Sequence, residues 1–303
     1  MEGSTSSLHE KAPRWSWMNN PIIAKELKGR MRGRQGFVML TAYLGLISLV
    51  IYAVYVYSVR NTYSRSPGFL QEAGKQVFLI VVLLEIILTG FIGPALTSGA
   101  ISSERERQTY DQLRMSLLSA KDIVIGKLGS SVMYLLLLIV AAIPLQSLAF
   151  FLGGVGIEEV LVSIWILTLS TINFCTLGLY FSGISKRTSI ATILSYTTLI
   201  LPILLFAAGI YAINENSYLL SNASFEFQRW LLNLLWTIIS TNPASAAFVS
   251  EAMLIEEQNL FLIPSPVPPM VLVSPWILYS IFSITMTILM IRLIVFYLKR
   301  HEP

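Results

Sequence analysis

The sequence is poor in charge and in the residues that build disulfides and metal sites. Of its 303 residues, 13% are charged and 54% are hydrophobic, whereas a soluble domain carries about a quarter charged residues. The single cysteine, Cys175, has no partner in the chain for a disulfide. Only two histidines, His9 and His301, are present, and both lie near the termini. We therefore predict no metal site and no histidine-based catalytic triad among the apolar segments.

The sequence also lacks a nucleotide-binding loop of the G-x-x-x-x-G-K-[ST] type. No acid–base pair or nucleophile constellation is visible either, so the chain is not expected to be an enzyme by itself. The net charge of +4 does not indicate nucleic-acid binding, because the basic residues flank apolar segments, where membrane topology accounts for them. Residues 1–36 are polar and basic, so no cleavable signal peptide is expected.

Long apolar segments dominate the rest of the chain. Each is close to the roughly 20 residues that a helix needs to cross a bilayer. The sequence therefore predicts an all-α integral membrane protein with six transmembrane helices and no separate soluble domain. The predicted spans are residues 37–59, 77–96, 128–152, 160–181, 190–213 and 276–297.

The distribution of lysine and arginine predicts the orientation. An even number of spans places both termini on one side. If that side is the cytoplasm, it also holds most of the basic residues between the spans. The opposite side then holds only Arg60, Arg65, Lys75 and Arg229. The bias predicts cytoplasmic termini in a multi-pass protein of the cell membrane.

The region before the first span is interpreted as a polar tail and an amphipathic interfacial helix, within residues 1–36. Pro21 suits the first turn of a helix, and an apolar stripe follows at Ile23, Leu27 and Met31. Lys25, Lys28, Arg30, Arg32 and Arg34 supply a basic face. Such a helix suits a surface of anionic lipid. The alternative is a simple basic flank that stops membrane transfer.

A charged run, residues 102–127, separates the second and third spans. Ser103 and Glu106 fit a capping box at the start of one helix, and Ser119 with Asp122 fits the start of a second. Tyr110, Leu113 and Leu117 form an apolar stripe at helical spacing. The run is either a solvated connection or a short helix at the membrane face that a soluble partner grips.

This run resembles the cytosolic loop of ABC-2 type transporter permeases. The resemblance rests on the E-R-E start at residues 104–106, Thr109, Leu113, the S-L-L-S turn at 116–119, the D-I-V at 122–124 and the G-K at 126–127. Gln108 stands where the family usually has glycine, and Leu117 where it usually has proline. The order of segments over the whole chain agrees as well.

The resemblance implies a permease subunit of an ATP-driven exporter, with residues 37–303 as its transmembrane domain. Residues 102–118 would be the coupling helix that docks on a separate ATPase subunit, and that subunit would bind ATP and Mg. A second permease copy or a homologous permease would complete the path, in contact with membrane lipids, in the inner membrane of a prokaryote. The implied ATPase interface comprises Glu104, Arg105, Glu106, Arg107, Thr109, Tyr110, Leu113 and Leu117.

Glu85 is the one acidic residue inside a predicted span. A charge at that depth is costly, so the carboxyl should face protein or water, or be protonated. It either contacts substrate or a coupled proton, or it joins spans through a hydrogen bond. Asn173, Gln146 and Thr171 are candidates for interhelical hydrogen bonds, and structural packing is the expected role of all three. For Asn173, as for Glu85, a place on the substrate path is the alternative. Gly90, Gly93 and Pro94 are predicted to let the second span pack closely or bend.

The segment of residues 214–275 is predicted to lie outside. Its apolar run, 230–239, is too short to span, so it is either a re-entrant hairpin or a helix on the outer leaflet; the family often re-enters the membrane here. Four prolines, Pro264, Pro266, Pro268 and Pro269, predict a stiff extended connector.

Two further functions compete with the exporter. One is a membrane anchor or scaffold that moves nothing. The other is a secondary transporter driven by an ion gradient through Glu85, against which the lone acid and the missing inverted repeat both argue.

Overall fold

The structure is a computed structural model that describes residues 21–32, 34–61, 69–109, 119–215, 224–257, 261–264 and 271–300. In this part of the chain the fold is helical, apart from one short hairpin. The helices are α1 (Pro21–Met31), α2 (Arg34–Asn61), α3 (Phe69–Thr97), α4 (Ser102–Glu106), α5 (Ala120–Phe151), α6 (Ile157–Ile184), α7 (Thr188–Glu215), α8 (Phe225–Thr241), α9 (Pro243–Glu257) and α10 (Pro275–Arg300). The strands are β1 (Leu262–Pro264) and β2 (Val271–Val273).

Five of the described helical segments are long and apolar enough to cross a membrane. They are Gly36–Ser58, Gln71–Glu106, Ala120–Phe151, Ile157–Ile184 and Pro275–Arg300. By the same criteria Thr188–Leu204 in α7 is a shorter apolar helix. Length and composition thus give the pattern of an all-α, multi-pass membrane protein. The fifth predicted span, residues 190–213, stays a prediction, and so does the total of six spans.

The packing of α3 against α6 forms the centre of the molecule. Gly90 and Gly93 of α3 face Phe174 of α6, where added Cβ atoms would lie 3.4 and 3.1 Å from its side chain. A Cβ on Gly178 of α6 would lie 2.9 Å from the Cα of Pro94. Small residues let helix backbones approach closely in membranes. The predicted close packing of this span is therefore confirmed.

The second helix of the charged run begins where the sequence predicts. The Ser119 side chain accepts the Asp122 N–H at 3.2 Å, and the Asp122 carboxylate accepts the Ser119 N–H at 3.1 Å. This reciprocal capping box satisfies backbone donors that α5 would otherwise leave free. The predicted Ser119 cap is confirmed.

The predicted capping box at Ser103 is wrong. Helix α4 starts at Ser102, so its N-cap is Ile101, two residues before Ser103, and Ile101 makes no side-chain cap. The Ser103 hydroxyl instead donates to the carbonyl of Gly99. Ser182 of α6 takes the capping role, because its hydroxyl accepts the N–H groups of Ile101 and Ser102 at 2.9 and 3.0 Å.

Helix α1 begins at Pro21 as predicted, but its apolar stripe packs largely on protein. Ile23 is buried and meets α5 at Gly129, where an added Cβ would lie 2.9 Å from the Ile23 side chain. Leu27 packs against the core as well. Arg30, predicted on the basic face, instead donates to the Leu96 carbonyl at 3.3 Å. An amphipathic helix buries its apolar stripe wherever apolar area is offered, and here much of that area is α5.

The basic face of α1 is also shorter than predicted. Lys25 and Lys28 of α1 are exposed, and so is Arg32 just after its end. Contact of this surface with lipid headgroups stays a prediction. Arg34 is the first residue of α2 and is not part of α1.

The segment after α7 contains a helical pair and a hairpin. Helices α8 and α9 are separated only by Asn242, and α9 packs on α3, α6 and α10 through buried residues that include Ala246, Ala247 and Leu254. Strand β1 pairs antiparallel with β2, with Leu262 opposite Val273. Pro264 is the last residue of β1, and the extended connector stays a prediction. Pro266, Pro268 and Pro269 lie outside the described residues.

Candidate functional site

Three charged residues from separate helices meet at the end of the helix bundle where α4 lies. The Lys127 ammonium of α5 donates to Glu26 of α1 at 3.2 Å and to Glu104 of α4 at 2.7 Å. We call Glu26, Glu104 and Lys127 the charged junction. It joins the helix before the first span, the charged run and the third span in one contact.

The burial of Lys127 makes this junction energetically important. Lys127 is 4% exposed, whereas the carboxylate side chains are each 26% exposed. Ser130, one turn along α5, also donates to Glu26 at 2.7 Å. A buried ammonium is tolerated only when it is paired and hydrogen-bonded. The junction meets this need with two carboxylates, so it carries a net charge of one negative unit.

Helix α4 is also tied to α6 and α7. The Glu106 carboxylate accepts the Thr188 N–H and hydroxyl, each at 2.9 Å. It therefore caps the start of α7, where a negative charge is favourable. Arg105 donates to the Ser185 carbonyl at 3.3 Å, between α6 and α7.

The end of α3 is fixed from two further directions. Arg30 of α1 reaches the Leu96 carbonyl, which lies among the last carbonyls of α3. The hydroxyls of Ser98 and Thr192 share a hydrogen bond of 2.9 Å, which connects the α3–α4 turn with α7. A displacement of α4 must therefore strain its bonds to α5, α6 and α7 together.

The predicted interface residues fall into three groups. Glu104, Arg105 and Glu106 make the intramolecular contacts described above. Arg107 and Thr109 are exposed. Tyr110, Leu113 and Leu117 lie outside the described residues, so the apolar stripe stays a prediction.

Sequence reasoning missed the pairing of Lys127 with Glu26. A usable signal was present, because Glu26 is the one acid within the basic stretch of residues 25–34. An acid in such a basic stretch indicates a specific basic partner. A lysine at the start of a span likewise indicates an acidic partner, because charged groups beside a membrane segment usually pair.

A second polar cluster lies deep in the helix bundle. Glu85 of α3 is fully buried, and its Oε2 accepts a hydrogen bond of 2.6 Å from the Gln146 amide of α5. The predicted interhelical role of Gln146 is confirmed. Tyr43 of α2, 4% exposed, lies within electrostatic range of the Glu85 carboxyl.

The other predicted polar groups contribute less. Asn173 of α6 approaches the Ser283 carbonyl and hydroxyl of α10 at 3.5 Å, the outer limit of a hydrogen bond. Thr171 donates to Leu167 within its own helix. The interhelical prediction for Thr171 is therefore wrong, since a threonine in a helix readily bonds the carbonyl four residues back.

Within the described ranges, no three His, Cys, Asp or Glu side chains group closely enough to hold a metal ion. The described residues thus provide a short polar helix that is bonded to three other helices, and a buried carboxyl within the bundle. Comparison of the chain with protein-family models and with curated proteins found no match.

Proposed function

We propose that this chain is the permease subunit of an ATP-driven exporter, which forms the substrate path and is driven by a separate ATPase subunit. The charged run containing α4 acts as the coupling element that the ATPase grips. Two permease chains, identical or homologous, enclose the path. Six spans with cytoplasmic termini place the charged run on the ATPase side.

The observation that carries this proposal is the bracing of α4. A coupling element must be accessible to a partner and also firmly joined to the spans that it moves. Arg107 and Thr109 are exposed at the end of α4, while Glu104 and Glu106 bond to α5 and α7. A solvated connection needs no such bonds, because polar loops are satisfied by water.

The test is purification of the chain from its native membrane in a mild detergent, followed by reconstitution in lipid. The expected result is a stoichiometric partner with a nucleotide-binding loop and an ATP hydrolysis rate that changes when the permease is present. A chain that purifies without any ATPase contradicts the proposal. That outcome leaves the scaffold or the ion-driven transporter.

A further inference from the structure

Three buried polar side chains from three helices come together around Glu85. Glu85 of α3 is 0% exposed, Gln146 of α5 is 2% exposed and Tyr43 of α2 is 4% exposed. The bond from Gln146 to Glu85 measures 2.6 Å, and Tyr43 lies within electrostatic range of the same carboxyl. The cluster is closed to solvent, and its three residues lie in three different candidate spans.

Each member of this cluster has an oxygen without a hydrogen-bond partner among the described residues. These atoms are Glu85 Oε1, Gln146 Oε1 and the Tyr43 hydroxyl. Buried polar atoms are rarely left unpaired, because each one costs about 1–3 kcal/mol. The Gln146 oxygen can only accept a hydrogen bond, and Glu85 Oε1 can only accept one while the carboxyl is ionised. The Tyr43 hydroxyl can donate a single hydrogen bond. The set therefore has an excess of acceptors, and the partner that completes it carries protons or positive charge.

The charge of the cluster indicates which charge the missing partner carries. Lys127 is the one buried basic side chain among the described residues, and it is bound in the charged junction. Arg30 is bound at the Leu96 carbonyl. One carboxylate is neutralised by one positive charge. A divalent ion would leave an uncompensated charge in an apolar region, which is strongly unfavourable.

We propose that Glu85, Gln146 and Tyr43 form an occluded site for one exchangeable monovalent cation, either a proton or Na⁺. The carboxyl supplies the charge, while the free oxygens of Gln146 and Tyr43 complete the shell of oxygen atoms. The bond between Glu85 and Gln146 holds α3 against α5, so binding and release alter the attraction between these two helices. The inference is independent of the ATPase partner.

The test follows the Glu85 carboxyl by attenuated-total-reflection infrared difference spectroscopy of the full chain reconstituted in lipid. The sample is perfused with buffers of stepped pH, in choline chloride or in sodium chloride. Glu85→Gln is close in shape and removes the ionisable group. Glu251→Gln is the matched control, because it removes the other fully buried glutamate of the described chain.

We expect the carbonyl stretch of a protonated carboxyl that is lost in Glu85→Gln and kept in Glu251→Gln. If the cation is a proton, this band converts to carboxylate bands as the pH rises, and sodium has no effect. If it is Na⁺, the conversion follows sodium concentration at constant pH. The proposal is overturned if the Glu85 signal changes with neither pH nor sodium concentration. It is also overturned if Glu85 is never protonated and sodium does not change its carboxylate bands.

Two further variants test the composition of the site. Gln146→Leu removes a hydrogen-bond donor to the Glu85 carboxylate. If the cation is a proton, the affinity of Glu85 for it should rise about tenfold; if it is Na⁺, the affinity of the site for Na⁺ should fall about tenfold. Tyr43→Phe changes volume little and should shift the same midpoint in the same direction. An unchanged midpoint in both variants would exclude these residues from the site and contradict the proposal.

Discussion

Lys127 shows how one side chain can decide the position of several helices. Its ammonium is buried and held by carboxylates of α1 and α4 at 3.2 and 2.7 Å. A buried ion pair gains little over a well-packed apolar pair, but removal of one partner leaves the other charge uncompensated. The junction therefore contributes mainly to specificity, because α1 and α4 have one favourable position on α5.

Replacement of Lys127 by methionine keeps the apolar stem and removes the charge. We expect a loss of about 2–3 kcal/mol in stability, below the range for a fully buried pair, because Glu26 and Glu104 are 26% exposed. The measurement is thermal unfolding in detergent. Lys121→Met, at an exposed position of the same helix, is the control and should change little. Glu104→Gln added to Lys127→Met should restore part of the loss; no restoration would contradict the ion-pair account.

Glu251 in α9 lies outside the five candidate spanning helices and is fully buried, with both carboxyl oxygens unpartnered among the described residues. Burial raises the pKa of Glu251 well above its usual range, and the neighbouring Glu159 carboxylate raises it further. The folded chain thus holds this proton more tightly than the unfolded chain does. Its stabilising contribution is fully present below the unfolded pKa and is lost as the pH rises through the folded pKa.

We therefore expect Glu251→Gln to be more stable than the parent at alkaline pH and to show a smaller decline of melting temperature with rising pH. The measurement is a set of thermal melts over a pH series. Glu226→Gln, at an exposed position of α8, should follow the parent. Parallel curves for the parent and Glu251→Gln would show that burial of this carboxyl does not control the decline.

At the scale of elements, the contact of α3 with α6 depends on the absence of side chains. A Cβ on Gly178 would lie 2.9 Å from the Cα of Pro94, which is backbone and cannot rotate away. Within lipid there is little hydrophobic drive between helices, so van der Waals contact at close approach supplies much of the attachment.

Gly178→Ala should force α3 and α6 apart and cost about 1–3 kcal/mol, the usual range for overpacking. Gly45→Ala in α2 is the control, since nothing lies within 4 Å of the added Cβ, and alanine favours a helix by about 0.5–1 kcal/mol. Thermal unfolding of both variants is the measurement. Equal stability of the two would mean that the close approach is unimportant.

Helix α4 and the residues after it carry the proposed coupling. Apolar anchors provide most of the energy of an interface, while exposed charges at its rim contribute little. Leu113→Asp should therefore weaken ATPase binding by on the order of 2 kcal/mol or more, and Arg107→Ala much less. The measurements are co-purification of the ATPase and substrate-dependent ATP hydrolysis in lipid. Parental binding and coupling in Leu113→Asp would favour the scaffold.

At the scale of the whole molecule, the helical class follows from apolar length alone. The backbone groups of a chain in lipid must bond internally, and a run of about 20 apolar residues does so as a helix. Local signals also located the Ser119 cap and the start of α1 at Pro21. Contacts between distant segments could not be predicted from the sequence. Ser182 caps α4 from a position 80 residues away, and Arg30, which was expected on the basic face of α1, bonds the Leu96 carbonyl instead. Such partners depend on the packing of whole helices, which periodicity does not encode.

The orientation of the molecule can be tested by labelling single cysteines in a Cys175→Ala background. Lys186→Cys should react only with reagent on the cytoplasmic side, and Glu226→Cys only with reagent outside, because both positions are exposed and the charge bias places them on opposite sides. The measurement is modification by a membrane-impermeant maleimide in intact cells and in inverted vesicles. The reverse pattern at both positions would invert the topology and remove α4 from the ATPase side.

The charged junction also sets an order for biosynthesis. Glu26 and Lys127 are 101 positions apart, and ribosomes add about 5–20 residues each second. Glu26 is therefore made roughly 5 to 20 s before its partner. During that interval α2 and α3 are synthesised and can enter the insertion machinery. Helix α1 meanwhile has neither the Lys127 ammonium nor the surface of α5 on which it packs. Helix α1 thus precedes the other described helices in the chain but is late in assembly, because its docking completes only after the start of α5 has been synthesised.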